Sequence, residues 1–232
     1  MITRQVTIRD SLAVELVVPA RPTKQLLIIC HGYKSSSAHP ALVAITGGLQ
    51  KKGCATVTFN FSGPNPLDVP AQVADIHDII MHFASQYTDI VLIAGSFGAL
   101  SAAIAARSPY CGGIVTVNGF FGSGQVGRRH KPTFWTFRVL ALASSKHQRV
   151  WRFYRRELQP HHINVPALVI HSKVDNMVSI RQSRWFFEKL QSPKQFIELE
   201  DADHDLSSVA VTTKIVEDIA DWLKRLPSHA RK

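Results

Sequence analysis

The sequence predicts an α/β fold, with a mostly parallel central sheet and helices on both of its faces. Two observations lead there. Six apolar runs of strand length recur along the chain, and most of the segments between them carry apolar residues at helical spacing. Strands that alternate with helices form parallel sheets, because each right-handed crossover lays a helix on a sheet face.

The elements follow in order. Val6 and Ile8, then Leu12, Val14, Leu16 and Val18, alternate about the turn signal Asp10-Ser11, as an antiparallel hairpin does. Leu26 to Cys30 is a continuous apolar run ending in His31-Gly32, as expected of a strand buried on both faces. Pro40 to Lys51 reads as a helix, and Ala55 to Phe61 as the next strand. Val69 to Phe83 is helical, with Val73, Ile76, Ile80 and Phe83 on one face. Ile90 to Ala94 is a strand, and the small, alanine-rich Ala99 to Arg107 is a helix packed closely on the sheet. Gly113 to Val117, Val165 to Ile170 and Gln195 to Leu199 complete the strands. Ser179 to Leu190 and Ser208 to Leu226 complete the helices.

The stretch Gly119 to His162 breaks the alternation and is too long for a simple loop. It opens with a glycine-rich hinge, and Phe134 to Leu158 mixes aromatics with arginines at helical spacing. The expected organisation is a core of residues 1–122 and 163–232, with residues 123–162 inserted as a small, basic helical cap. Such a cap would lie over the carboxyl edge of the sheet, where open α/β sheets bind ligands. The chain carries a net charge of +10, and nine Lys and Arg residues against the single Glu157 fall between Ser123 and Ile163. The basic surplus thus belongs to the cap and not to the scaffold.

A chain of 232 residues with 45% hydrophobic content builds one buried core and is not disordered. No apolar run reaches the roughly 20 residues that cross a bilayer. The opening Met1-Ile2-Thr3-Arg4-Gln5 lacks the blocks of a signal peptide, so the expected compartment is the cytoplasm. Cys30, Cys54 and Cys111 are too few and too widely spaced for a disulfide framework or a zinc site, and read as small buried hydrophobes. His161-His162 has no further ligands at metal-binding spacing and reads as a solvated hinge, so no metal is expected.

The chemistry concentrates in Ile90 to Leu100, where a buried strand runs through Gly95-Ser96-Phe97-Gly98 into a small-residue helix. A strand-to-helix turn this tight needs small residues two before and two after the serine, here Ala94 and Gly98. It lifts the hydroxyl clear of the sheet, beside N–H groups at the helix start that favour negative charge. An ordinary turn that happens to hold this tetrapeptide is the plainer alternative. A serine nucleophile needs a base, and the base needs an orienting acid. Asp175 follows the run ending at Ile170, and His204 follows the run ending at Leu199, both on the edge that carries Ser96. Asp201, Asp203 and Asp205 are rival acids on the histidine's own loop, and His171 is a rival base within a strand. An oxyanion needs two donors. The N–H of Phe97 is one, and the N–H of Tyr33, after His31-Gly32, is the natural second. His31 itself reads as a residue that fixes this loop.

Together, His31-Gly32, Phe59 to Gly63, Gly95 to Gly98, Asp175 and Asp203-His204 resemble the α/β-hydrolase superfamily, in its order and over nearly the whole chain. Within it the chain is most similar to compact bacterial esterases with a short cap, including the cinnamoyl- and feruloyl-esterase-like members. The resemblance implies an α/β-hydrolase fold and a cofactor-free serine esterase with the triad Ser96, Asp175 and His204. It also implies an oxyanion hole at Tyr33 and Phe97, and a small-molecule ester substrate. The chain departs from the family's usual pattern at Ala94, at Ser172 beside His171, and at Pro64-Asn65-Pro66. An acyl thioesterase or a monoacylglycerol-type lipase is a neighbouring alternative. A non-catalytic binding protein that uses the basic cap is an alternative of another class. The cap's arginines and aromatics also leave three partners open: anionic or aromatic substrates, a membrane surface and, least favoured, nucleic acid. Oligomeric state is not legible.

Overall fold

Alternation along the central strands sorts the apolar side chains into two cores, one on each face of a sheet. The computed structural model describes residues 1–9, 11–122, 153 and 156–227. The strands are β1 (Ile2–Ile8), β2 (Leu12–Val18), β3 (Gln25–Cys30), β4 (Ala55–Phe59), β5 (Asp89–Gly95), β6 (Cys111–Val117), β7 (Ala167–Ser172) and β8 (Lys194–Leu199). They form one sheet in the order β1-β2-β4-β3-β5-β6-β7-β8. The β1–β2 hairpin is antiparallel, and β2 pairs antiparallel with β4. Every pairing from β4 through β8 is parallel. Cys30 lies opposite Ala94, Ala94 opposite Thr116, and Thr116 opposite Val169, so the carboxyl ends share one edge.

The described helices are α1 (Pro40–Lys51), α2 (Val69–Phe83), α3 (Gly98–Ala105), α4 (Ile180–Lys189) and α5 (Val209–Lys224). Leu26, Ile28 and Cys30 of β3 pack in the core shared with α2, α3 and α4. Leu27 and Ile29 pack in the core shared with α1 and α5. Proline stands in the first turn of both α1 and α2, where its missing N–H costs no hydrogen bond. The Asp68 side chain caps α2 by accepting the Ala71 N–H. Helix α1 lies close on α5 through Gly48, where an added Cβ would stand 2.6 Å from a Val216 methyl. All eight residues of α3 are buried, which its short side chains permit.

Several boundaries differ from the sequence expectation. Strand β4 ends at Phe59, because the Phe61 N–H is given to the His31 side chain instead of to the ladder. Strand β7 starts at Ala167, since Pro166 has no N–H to donate. Helices α4 and α5 are each shorter at both ends than their apolar pattern suggested, and α3 starts one residue earlier, at Gly98, and ends two earlier, at Ala105. Cys30 and Cys111 are buried, and burial raises both thiols, that of Cys111 to about 12. Cys54 is only half-buried, because it precedes β4 instead of lying within it.

Most of the expected cap, residues 123–152, 154 and 155, lies outside the described residues. Its return leg is described: Leu158 is buried in the core, and the Arg107 side chain donates to the Glu157 carbonyl at 3.1 Å. Pro160–His162 then forms a single 3₁₀ turn. No helix among the described residues is long and apolar enough to cross a membrane.

Candidate active site

The turn between β5 and α3 holds Ser96 at φ +50°, a left-handed conformation that a residue with a Cβ adopts at a cost. The Ser96 N–H donates to the Val117 carbonyl at 3.1 Å, and the Ser96 carbonyl accepts the Phe120 N–H at 2.9 Å. These bonds lock the turn to the end of β6. Gly98 is required by a close approach, since a Cβ there would fall 2.3 Å from the His31 carbonyl oxygen. Ala94 is buried in the core without conflict. Gly32 faces the serine, and its missing Cβ would stand 3.0 Å from that of Ser96.

Three side chains from three loops meet at this edge. The Ser96 hydroxyl donates to His204 Nε2 at 3.0 Å, and His204 Nδ1–H donates to Asp175 Oδ2 at 2.7 Å. The carboxylate can only accept, which sets the tautomer of the ring. The other oxygen, Asp175 Oδ1, accepts the N–H groups of Met177 and Val178, each at 2.8 Å. The Asp175 side chain is fully buried and that of His204 only 8% exposed, so their bond acts in a low dielectric.

The rival residues have other partners. Asp203 accepts from the Ser207 N–H and hydroxyl, which hold its carboxyl below the usual range and brace the histidine loop. Asp205 is exposed, 4.0 Å from His39. His171 is buried, donates Nε2–H to the Val178 carbonyl at 3.0 Å and accepts the Ser183 hydroxyl at Nδ1. Burial lowers its pKa, so it remains a neutral packing group, with Nε2 3.6 Å from Asp175 Oδ2. His31 donates Nδ1–H to the Gly32 carbonyl and accepts the Phe61 N–H at Nε2, fixing the loop after β3. That loop carries Tyr33 to the rim beside Ser96, and Phe97 follows Ser96 directly at the start of the turn into α3.

Two further residues hold the loops together and were missed in the sequence. Asn118, 1% exposed and at φ +47°, donates its amide to the carbonyls of Asp203 and His204, each at 3.3 Å, and accepts the Ser172 N–H at 2.9 Å. Ser172 donates its hydroxyl to the Ala202 carbonyl at 2.5 Å. The available signal was position: each is a polar residue at or just past the carboxyl end of a buried strand, next to a strand that leads to a candidate residue.

A chamber of about 540 Å³ opens beside Ser96 and His204. Its walls are the loop after β3, the first turns of α1 and the histidine loop, with Ile93 and Val117 among its lining residues.

This strand order, with a serine on a strained turn after the central β5, is the α/β-hydrolase fold. Solved structures similar to the chain include the esterase domain of a Rhodothermus marinus protein, at 21% identity over 97% of this chain and 99% of that one, with a TM-score of 0.74. A dienelactone hydrolase from Anabaena variabilis matches at 17% identity over 97% of both chains, with a TM-score of 0.73. Est1E from Butyrivibrio proteoclasticus, solved with ferulic acid bound, matches at 17% identity over 96% of this chain and 98% of that one, with a TM-score of 0.69. No family model and no curated protein matches the sequence.

Proposed function

We propose that the chain is a serine hydrolase that cleaves carboxylic esters through an acyl-enzyme on Ser96. The observation that carries this reading is the unbroken chain of hydrogen bonds from the Ser96 hydroxyl through His204 to buried Asp175. His204 Nε2 takes the hydroxyl proton as Ser96 Oγ attacks the ester carbonyl carbon. Asp175 keeps the ring oriented and stabilises the imidazolium. The N–H groups of Tyr33 and Phe97 receive the oxyanion. Collapse of the tetrahedral intermediate breaks the C–O bond, and His204 returns its proton to the leaving alcohol. Water, deprotonated by His204, then attacks the acyl-enzyme; the acyl C–Oγ bond breaks, His204 returns the proton to Ser96 Oγ, and the acid is released. The fold shared with the esterase and dienelactone hydrolase structures supports the same chemistry.

The cap of residues 123–162 completes the proposal. Its nine basic residues and its aromatics suit esters of anionic or aromatic acids. A fluorophosphonate probe and a panel of nitrophenyl esters test the reading. Labelling at Ser96 and hydrolysis by wild type are expected, with Ser96→Ala unlabelled and at least ~10³-fold slower, and Asp175→Asn slower by about 10⁴-fold. Full activity of folded Ser96→Ala would sink the proposal, and absence of both labelling and hydrolysis in folded wild type would point to a binding protein.

A further inference from the structure

The chamber beside Ser96 is not symmetric about the nucleophile. It borders the loop after β3, from Gly32 to Ser36, and His204, Asp205 and Leu206 of the histidine loop, with Met177 of the acid loop and Ala41, Leu42 and Ile45 of α1 beyond. Phe97, Phe120 and Phe121, on the side of Ser96 that faces α4 and the start of the insertion, take no part in its walls. Its inner lining is apolar, from Ile45, Ile93, Val117 and Leu206, all buried side chains of the sheet, α1 and the histidine loop. Lys34 and Asp205 bring charges of opposite sign to the lining, so neither sign of ligand is favoured. A volume of about 540 Å³ lies within the usual ~300–1,000 Å³ of small-molecule pockets.

From this asymmetry we infer that the chamber is the leaving-group subsite of the esterase proposed above, and that it takes an uncharged aliphatic alcohol. The inference rests on that reading and on one requirement of its chemistry. His204 must hand its proton to the alcohol oxygen as the C–O bond breaks, so the alcohol lies on the side of the tetrahedral carbon next to His204. The oxyanion points to the Tyr33 and Phe97 N–H groups, and the acyl chain leaves by the remaining direction, away from the histidine loop. The chamber adjoins His204 and the oxyanion loop after β3 and does not extend to the Phe120 side, so it receives the alcohol. Its apolar inner lining rewards methylene groups, and its charged side chains Lys34 and Asp205 are solvent-exposed, so neither offers a desolvated partner to a buried charge.

Two ester series and two variants test this. One series holds acetate constant and lengthens the alcohol from ethyl to hexyl; the other holds methanol constant and lengthens the acid. The ratio kcat/KM reports acylation, the step in which the alcohol is still attached. In wild type it should rise by up to about fourfold per methylene of alcohol, the factor that ~0.8 kcal/mol per buried CH₂ gives. Leu42→Trp, which fills the chamber from α1, should flatten the alcohol series and leave the slope of the acid series unchanged. Leu42→Ala, which enlarges it, should move the optimum to longer alcohols. Thermal melts of both variants verify that α1 still docks on α5. A flattened acid series with an intact alcohol series would overturn the assignment, as would alcohol-independent rates in wild type. If folded wild type hydrolyses neither series and Ser96 is not labelled by the fluorophosphonate, the esterase reading itself fails and the subsite falls with it.

Discussion

The two glycines that flank Ser96 make opposite demands, and a single substitution at each tests the geometry of the turn. At Gly98 a Cβ would lie 2.3 Å from the His31 carbonyl oxygen, 3.0 Å from its carbon and 3.1 Å from the Cys30 oxygen. Ordinary contact begins near 3.4 Å, so the β3 end and α3 must separate by about 1 Å to admit a methyl group. All the crowded atoms are backbone, so no side chain can rotate away. Overpacking of this kind costs about 1–3 kcal/mol. The displaced segment leads directly to Tyr33, whose N–H is a proposed oxyanion donor. Misplacing such a donor by about 1 Å lowers reactivity by roughly 10²-fold or more. At Gly95 the nearest atom to an added Cβ is the Val117 oxygen at 3.9 Å, and the backbone there is not left-handed. Gly95→Ala is therefore expected within about 0.5 kcal/mol of wild type, or slightly stabilising, because alanine restricts the unfolded chain. Urea denaturation gives the stabilities, and the rate of fluorophosphonate labelling at Ser96 gives the reactivities. Gly98→Ala matching wild type in both measurements would refute the close approach. Gly95→Ala proving the more damaging of the two would refute the whole account of the turn.

Other outcomes follow from the same geometry. Asn118→Asp points a carboxylate at the carbonyls of Asp203 and His204, and should lower kcat more than tenfold with little change in KM; an unchanged kcat would show that the clasp does not position His204. Ser96 holds φ +50°, so Ser96→Gly should be more stable than Ser96→Ala by about 1 kcal/mol in urea melts, and equal stabilities would argue against strain at the turn. Burial depresses the pKa of His31 and His171 below the ordinary 6.5, so the unfolded chain binds protons that the folded chain refuses. Stability is then fully present above pH 6.5 and falls as the pH drops below it. His171→Gln should flatten that fall in urea midpoints measured from pH 7.5 to 5, and an identical slope would contradict the neutral, buried state of the ring.

What the sequence revealed depends on how local each determinant is. The bounds of α1 and α2 could be read to the residue, because proline in the first turn and a periodic apolar face both lie within the helix itself. The end of β4 could not. Phe61 continues an apolar pattern, and only the folded chain shows that His31, 30 positions earlier in sequence, takes its N–H. The same division governs the site. Ser96, Asp175 and His204 each stand in the loop that follows a strand, a pattern visible one segment at a time, and the parallel register then brings the strand ends together. Asn118 and Ser172 act only across the sheet: one side chain bonds two carbonyls more than 80 positions away, the other a carbonyl 30 positions away. No spacing rule within a segment points to them. Their burial makes them exacting nonetheless, since an amide or hydroxyl deprived of its partner at such a site costs about 1–3 kcal/mol. The residues hardest to read in the sequence are thus those that hold His204 and the acid loop to the end of β6, and the chemistry proposed for Ser96 depends on that alignment.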